Sequence, residues 1–229
     1  MIRTVKPSKN ATLWGVFYLF LYFYPLGLIL EAVNRLLSYP MDSMELNLLF
    51  FFVNALAVVL IFRKYLVQAL REGRWRFPGI FGFALLSFVG YLFSSELVTH
   101  LILLLEPSFY NANDANIGMM ASRNFPLMFF CTVILAPLTE ETLFRGLIFR
   151  GLFDLSPVLA YAVSIVVFSF IHLTAYLPYL DALTLALSFL QYLPAGLFLA
   201  RSYHLSGSIL SPMLMHAAIN ALAMLLMKG

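Results

Sequence analysis

Long apolar stretches follow one another along the whole sequence, and they constrain the fold more than any other feature. A helix needs about 20 mostly apolar residues to cross the hydrocarbon core of a bilayer. Hydrophobic residues make up 62% of the 229 residues, which is more than the interior of a soluble domain of this size can hold. We therefore predict an all-α, polytopic membrane helical bundle of about seven transmembrane helices. They run over residues 13–30, 46–62, 77–105, 125–149, 157–177, 183–200 and 208–227.

The lysine and arginine residues predict an orientation, because cytoplasmic loops carry an excess of both. With the N-terminus inside, the inner segments hold ten of the 14 basic residues, the outer segments hold three, and Arg145 lies within a span. We therefore expect a cytoplasmic N-terminus and an outer C-terminus. The ten inner residues are Arg3, Lys6, Lys9, Arg63, Lys64, Arg71, Arg74, Arg76, Arg150 and Arg201. The net charge of +3 reflects these loops and does not indicate a nucleic-acid partner.

The remaining sequence predicts a single membrane domain over residues 1–229. The first apolar stretch follows basic residues as a secretory signal does, but its core is long and no small-residue cleavage site follows, so we expect a retained helix. Residues 107–124 are polar and turn-rich, which indicates an outer loop. No internal repeat or low-complexity tract divides the chain. Residues 13–105 form the N-terminal helices, and residues 125–227 carry the polar motifs.

Three ionisable residues, Glu140, Glu141 and Arg145, lie deep within the fourth apolar stretch. Ionisable groups inside a bilayer are costly and usually functional, since lipid offers them no water. On a helix Glu141 and Arg145 are i,i+4 neighbours that pair directly, whereas Glu140 points about 100° away. We therefore expect Glu140 to be the carboxylate available as a general base. Pro137 lacks an N–H, which predicts a kink and a free carbonyl at Val133 where water can enter.

A purely structural interpretation fits part of this pattern. Glu141 and Arg145 form a pair that cancels charge whether or not the site is functional. Glu140 is harder to explain in that way, because a second adjacent carboxylate adds a desolvation cost that one arginine does not offset.

Two later apolar stretches each contain one deep histidine. His172 follows Phe168 by one helical turn, and His216 has Asn220 on the same helical face. Taken alone, each fits a hydrogen bond between packed helices. Together with Glu140, they place a carboxylate, two imidazoles and an amide at similar depth on three helices. This combination indicates a hydrolytic site within the membrane.

The ordered set of motifs resembles a known family, the CPBP (Abi) intramembrane proteases, which include the type II CAAX prenyl endopeptidases. The resemblance covers residues 125–227, and the earlier stretches match only as generic apolar spans. Each motif is short, but the three in this order are specific. They read Glu140-Glu141-Thr-Leu-Phe-Arg145, Phe168-Ser-Phe-Ile-His172 and His216-Ala-Ala-Ile-Asn220.

The resemblance implies a helical membrane endopeptidase. Glu140 and His172 would activate a water for attack on a peptide carbonyl. His216 and Asn220 would donate hydrogen bonds to the developing oxyanion, in a site with little bulk water.

Glu141, Arg145 and Phe168 would be supporting residues in this picture, and no cofactor would be required. The alternative is a zinc-dependent protease, since one glutamate and two histidines with an open fourth position are a known hydrolytic arrangement. Its ligands would be Glu140, His172 and His216.

The membrane setting restricts the substrate to a lipid-anchored or membrane-embedded peptide. The resemblance offers prenylated CAAX tails and bacteriocin-like or pheromone-like peptides, and it implies an integral protein of the cell (plasma) membrane surrounded by lipid. The rival interpretation is a non-enzymatic immunity or partner-binding membrane protein. A small transporter is disfavoured, because it should show paired repeats with broken helices.

Other polar residues receive structural interpretations. Glu96 and His100 are i,i+4 neighbours near the outer end of the third stretch, which predicts an interfacial pair. His204 lies beside Arg201 in a predicted inner loop and should be solvated. Three residues interrupt the sixth stretch and shape either its packing or a substrate entrance, namely Gln191, Pro194 and Gly196.

Overall fold

The structure is a computed structural model that describes residues 5–23 and 25–228. Within those residues the chain forms eight helices and no strand, which confirms the all-α class. Arg3, one of the basic residues used for the orientation, lies outside this range. The helices are α1 (Lys9–Phe23), α2 (Pro25–Arg35), α3 (Ser43–Leu105), α4 (Ala112–Arg123), α5 (Phe125–Phe153), α6 (Pro157–Ile171), α7 (Ala182–Ser206) and α8 (Leu210–Lys228).

These helices differ from the seven predicted ones in number and in length. Of the helices just named, four are long and apolar enough to cross a membrane: α3, α5, α7 and α8. A fifth span results if α1 and α2, which are bent by 61° against each other, are counted together. The predicted stretch 157–177 is helical only to Ile171, and residues 172–180 form turns.

The predicted loop between stretches 46–62 and 77–105 is wrong, because both belong to the 63-residue helix α3. A straight helix of that length would reach about 95 Å, about three times the hydrocarbon thickness. Asp42, just before α3, bonds Arg123 at the end of α4 at 2.6 Å. Tyr91, far along α3, interacts with the charge of Asp114 in the first turn of α4. Asp42 and Tyr91 therefore both lie near α4 although 49 positions separate them, so α3 must be strongly bent.

The middle of α3 lies at the opposite end of the molecule, against the turn between α7 and α8. Arg76 donates to the carbonyl of Ser206 at 2.6 Å, and Gly73 faces Leu210. Pro78 lies inside the helix just beyond these contacts, and a proline interrupts the backbone hydrogen bonds and favours a kink. The basic residues predicted for an inner loop are therefore in a bent helical segment.

Residues 107–124, predicted as a loop, contain the helix α4. Asn111 caps it, because its side chain accepts hydrogen bonds from the backbone N–H groups of Asn113 and Asp114. Polar residues that favour turns also favour helix starts, which explains the error.

The helix α5 occupies the centre of the molecule. Its apolar window is 67% buried within the protein, compared with 22% for α3 and 28% for α8. It packs into the main apolar core with side chains from α3, α6, α7 and α8, including Phe62, Phe168, Leu199 and Met215. Large apolar side chains on the outer helices are exposed, as lipid-facing surfaces require.

Candidate active site

Two π-helical segments in α5 lie on either side of the paired glutamates, at Cys131–Leu135 and Thr142–Phe149. In a π-helix a backbone N–H donates a hydrogen bond to the carbonyl five residues earlier. The N–H of Ala136 donates to the carbonyl of Cys131 in this way. The next donor would be Pro137, which has no N–H. In this register the carbonyl without its backbone donor is that of Thr132, one residue before the Val133 carbonyl expected for a regular α-helix.

The free carbonyl of Thr132 binds the predicted site residue Asn220. The Nδ2 atom of Asn220 donates to Thr132 O at 2.7 Å. One amide N–H is used in this bond, and the second N–H remains for another acceptor. The proline in α5 thus determines where the Asn220 side chain of α8 is held.

Glu140 lies on the wall of a cavity and is 8% exposed. Its Oε1 atom accepts a hydrogen bond of 3.2 Å from the hydroxyl of Tyr22 in α1. Its Oε2 atom lies 3.8 Å from Nε2 of His172 and has no hydrogen-bond partner within residues 5–23 and 25–228.

His172 follows the last residue of α6, and its ring is fixed through one nitrogen. Nδ1 lies 2.8 Å from the carbonyl oxygen of Phe168. A carbonyl only accepts hydrogen bonds, so Nδ1 carries the hydrogen and Nε2 of the neutral ring has a free lone pair. The 3.8 Å from Nε2 to Glu140 Oε2 exceeds a direct hydrogen bond and suits one water shared by both atoms.

Glu141 faces away from the cavity and accepts hydrogen bonds from Arg145 and His216. Its Oε1 atom accepts from Arg145 Nη1 at 3.1 Å, as the i,i+4 spacing predicts, and from His216 Nδ1 at 2.7 Å. The side chains of Glu141 and Arg145 are 0% exposed. Glu141 therefore connects the arginine of α5 to the histidine of α8.

Arg145 has further contacts that hold it in the core. Its Nη2 atom donates to the carbonyl of Gly196 in α7 at 3.0 Å. Its guanidinium lies 4.5 Å from the ring centre of Phe168, a cation–π contact. The Phe168 ring also packs against His172 and His216, at 4.8 Å and 5.8 Å between ring centres. Phe168 thus touches the arginine and both histidines of the motifs.

The cavity has a volume of about 790 Å³ and reaches from Glu140 to the C-terminal ends of α2 and α8 and the N-terminal end of α3. That volume lies in the usual range of ligand-binding pockets. The four predicted catalytic residues line one end of it, namely Glu140, His172, His216 and Asn220.

The zinc alternative requires Glu140, His172 and His216 to meet at one ion. Among the residues that the structure describes, no group of three His, Cys, Asp or Glu side chains is arranged to hold a metal ion. His172 and His216 each use Nδ1 for a hydrogen bond, with the Phe168 carbonyl and with Glu141, and Nε2 of His172 lies 3.8 Å from Glu140 Oε2.

The structure places the remaining polar residues as follows. Glu96 and His100 lie 4.0 Å apart and are exposed. The prediction that His204 lies in a loop is wrong, because it belongs to α7 and its Nδ1 lies 3.0 Å from the Tyr161 hydroxyl. Gln191 bonds Asn111 at 2.7 Å. The predicted interruption of the sixth stretch does not occur, since α7 continues through Pro194.

Sequence reasoning missed Tyr22, Thr132 and Tyr192 as neighbours of the motif residues. Tyr22 bonds Glu140 across 118 positions, and the Tyr192 ring stacks on His172 with 4.3 Å between ring centres. An aromatic residue in an apolar helix carries no local signal for such a contact. For Thr132 a signal existed, since Pro137 lies five residues later.

Comparison with known proteins gives one family match. Residues 122–222 match the family described as type II CAAX prenyl endopeptidase Rce1-like. Neither the curated proteins nor the solved structures give a match. The family implies a peptidase, and with the apolar helices it points to an integral membrane protein. The family match over residues 122–222 thereby confirms the resemblance drawn from the motifs.

Proposed function

We propose that this protein is an intramembrane endopeptidase in which Glu140 and His172 activate a water molecule. The observation that carries the proposal is their 3.8 Å separation on the wall of a cavity that His216 and Asn220 also line. An acid and an imidazole at this distance can hold one water between them.

The reaction follows from the positions of these groups. Glu140 takes a proton from the water, and the resulting hydroxide attacks the carbonyl carbon of the scissile peptide bond. The carbonyl oxygen becomes an oxyanion, and the proton passes from Glu140 to the leaving amine as the C–N bond breaks. His172, through Nε2, orients the water and shares its proton.

Asn220 and His216 are placed to stabilise the oxyanion. Asn220 has one amide N–H left after its bond to Thr132. His216 uses Nδ1 for Glu141, so Nε2 is the nitrogen left for the cavity, and it donates when the ring carries both protons. Donors fixed in this way act without rearranging during the reaction.

The substitution Glu140→Gln tests the proposal. It keeps the size and hydrogen bonding of the side chain but removes the base, so cleavage of a membrane-embedded reporter peptide should fall by about 10²-fold or more. The matched control is Glu96→Gln, which removes an exposed carboxylate beside His100. Unaltered turnover in folded Glu140→Gln protein would show that Glu140 is not the base, and absence of turnover in the wild type would favour the non-enzymatic partner-binding interpretation.

The substrate and the independence from metal are tested with the same assay. We propose a lipid-anchored or membrane-inserted peptide as substrate, either a prenylated CAAX tail or a bacteriocin-like or pheromone-like peptide. Comparing a prenylated reporter with an unlipidated membrane-inserted one separates these classes.

Turnover should persist after thorough chelation of metal ions, and its loss would favour the zinc-dependent version of the protease.

We propose further that the N-terminus is cytoplasmic and that the protein lies in the plasma membrane. The support is the basic segment of α3 from Arg63 to Arg76, which lies at the end of the molecule opposite the cavity opening. Labelling of single cysteines introduced at Lys9 and Tyr179, from either side of sealed membranes, tests the orientation.

A further inference from the structure

The ring of Tyr192 in α7 lies flat against the ring of His172. Their centres are 4.3 Å apart and their planes differ by 23°. His172 directly follows the end of α6, where the chain passes into turns, so its own helix supports it on one side only. Phe168 packs near the ring as well, 4.8 Å away. The imidazole is therefore held between two aromatic rings.

The hydroxyl of Tyr192 is tied to the first turn of α4. It accepts a hydrogen bond of 3.1 Å from Asn113 Nδ2 and lies 3.3 Å from the acceptor oxygens of both Asn111 and Asp114. The preceding residue, Gln191, accepts from Asn111 Nδ2 at 2.7 Å. Two consecutive residues of α7 are thus bonded to the start of α4.

This network is polar and largely enclosed, which makes it rigid. A buried polar network whose members are satisfied fixes one arrangement, whereas an apolar stack alone leaves the rings free to slide. Burial also raises the pKa of Asp114 above its ordinary value, and the hydrogen bond from Tyr192 and the charge of His172 oppose that shift. The charged groups facing His172 are Asp114 from α4 and Glu140 from α5.

We infer that Tyr192 is a positioning residue, which the start of α4 anchors through its hydroxyl so that Nε2 of His172 stays directed at Glu140. This role rests on the proposed function. It assigns α4 a task that its sequence does not suggest, namely to hold a catalytic ring from the opposite side of the cavity. A displacement of about 1 Å in a reacting group can lower a rate about 10²-fold.

The substitution Tyr192→Phe tests the anchor, because it keeps the stacked ring and removes only the hydroxyl. We expect kcat to fall about tenfold to 10²-fold with KM close to that of the wild type, because ring alignment acts on the chemical step. The matched control is Tyr161→Phe, which removes a hydroxyl bonded to another histidine, His204, away from the cavity. Its kcat should equal that of the wild type.

A second pair of variants separates anchoring from charge. Asp114→Asn keeps an oxygen that accepts from the Tyr192 hydroxyl, so it should retain most of the activity, while Asp114→Ala should lower kcat further. Combining Asp114→Ala with Tyr192→Phe should lower kcat less than the two single effects predict, since both break one connection.

The outcomes distinguish this role from the proposed function. If Glu140→Gln abolishes cleavage while Tyr192→Phe keeps the wild-type kcat, only the positioning role is overturned. Equal losses in Asp114→Asn and Asp114→Ala would overturn it too, because charge rather than anchoring would then matter. Unaltered cleavage by Glu140→Gln would overturn the proposed role of Glu140 as the base.

Discussion

Glu140 and Glu141 are adjacent in sequence but lie in regions with opposite surroundings. Glu140 faces a cavity of about 790 Å³, has one tyrosine hydroxyl as partner and leaves one oxygen unbonded within the described chain. Glu141 is enclosed, at 0% exposure, and joins Arg145 to His216. One side of α5 therefore carries the proposed base, and the other carries an ion pair buried in the core.

The difference shows how a site within a membrane is built. A charged group there needs either an opposite charge or access to water. Glu141 has the first and Glu140 the second, so their substitution should give different results.

The largest effect is expected from Glu141→Gln. It leaves Arg145, which cannot lose its proton, as an uncompensated charge in the core, at a cost of about 3–5 kcal/mol of stability. We expect a clearly lower Tm for the purified protein in detergent, while Glu140→Gln stays near the wild type. If both variants were equally stable and merely inactive, the division between the two carboxylates would be wrong.

A double substitution sharpens this result. Glu141→Gln with Arg145→Met removes both charges, so part of the lost Tm should return. A double variant less stable than Glu141→Gln would mean that Arg145 is needed for its contacts with Gly196 and Phe168 rather than for its charge.

The next effect concerns the rate of cleavage. Asn220→Ala removes the proposed oxyanion donor, so kcat should fall about 10²–10³-fold. It also leaves the carbonyl of Thr132 without its 2.7 Å hydrogen bond, which costs about 1–3 kcal/mol if no water replaces it. Wild-type kcat in this variant would exclude Asn220 from the reaction.

The sequence predicted the polar site better than it predicted the helices around it. The i,i+4 spacing was enough to predict the contact between Glu141 and Arg145, because that contact depends on helix geometry alone. The bond from Glu141 to His216 joins residues 75 positions apart, and only the packing of α8 against α5 creates it. Spacing could therefore place the residues at one depth, but it could not assign their partners.

The predicted helix boundaries were wrong for a different reason. The basic segment of α3 was interpreted as a loop because of its charge, yet Arg, Lys, Leu, Gln, Ala and Glu are strong helix formers and fill most of it. Gly73, Pro78 and Gly79 oppose the helix there, and α3 bends without ending. The charge of the segment indicated that it leaves the lipid, but charge does not indicate whether the backbone there is helix or loop.

A smaller effect is expected where α7 approaches α6. A Cβ on Gly196 would lie 3.2 Å from the Cα atom and 3.4 Å from the carbonyl oxygen of Ile165. Gly196→Ala should therefore destabilise the protein by about 1–3 kcal/mol and shift the carbonyl that binds Arg145. Gly79→Ala in α3 is the control, because nothing lies within 4 Å of its Cβ position. An unchanged Tm in Gly196→Ala would show that α6 and α7 can move slightly apart without loss of stability.

The smallest effect is expected at Asp154, the exposed counterpart of the buried pair. Hydrogen bonds from Arg150 and Lys6 lower the pKa of Asp154 from 3.8 to about 2. A carboxylate with a lowered pKa stabilises the folded state above its ordinary pKa, and this contribution disappears as the pH falls through 3.8 toward about 2. Asp154→Asn should therefore lower Tm slightly at pH 7, and the difference from the wild type should shrink in acid. Because water screens this pair, a loss as large as that of Glu141→Gln would contradict the contrast between exposed and buried pairs.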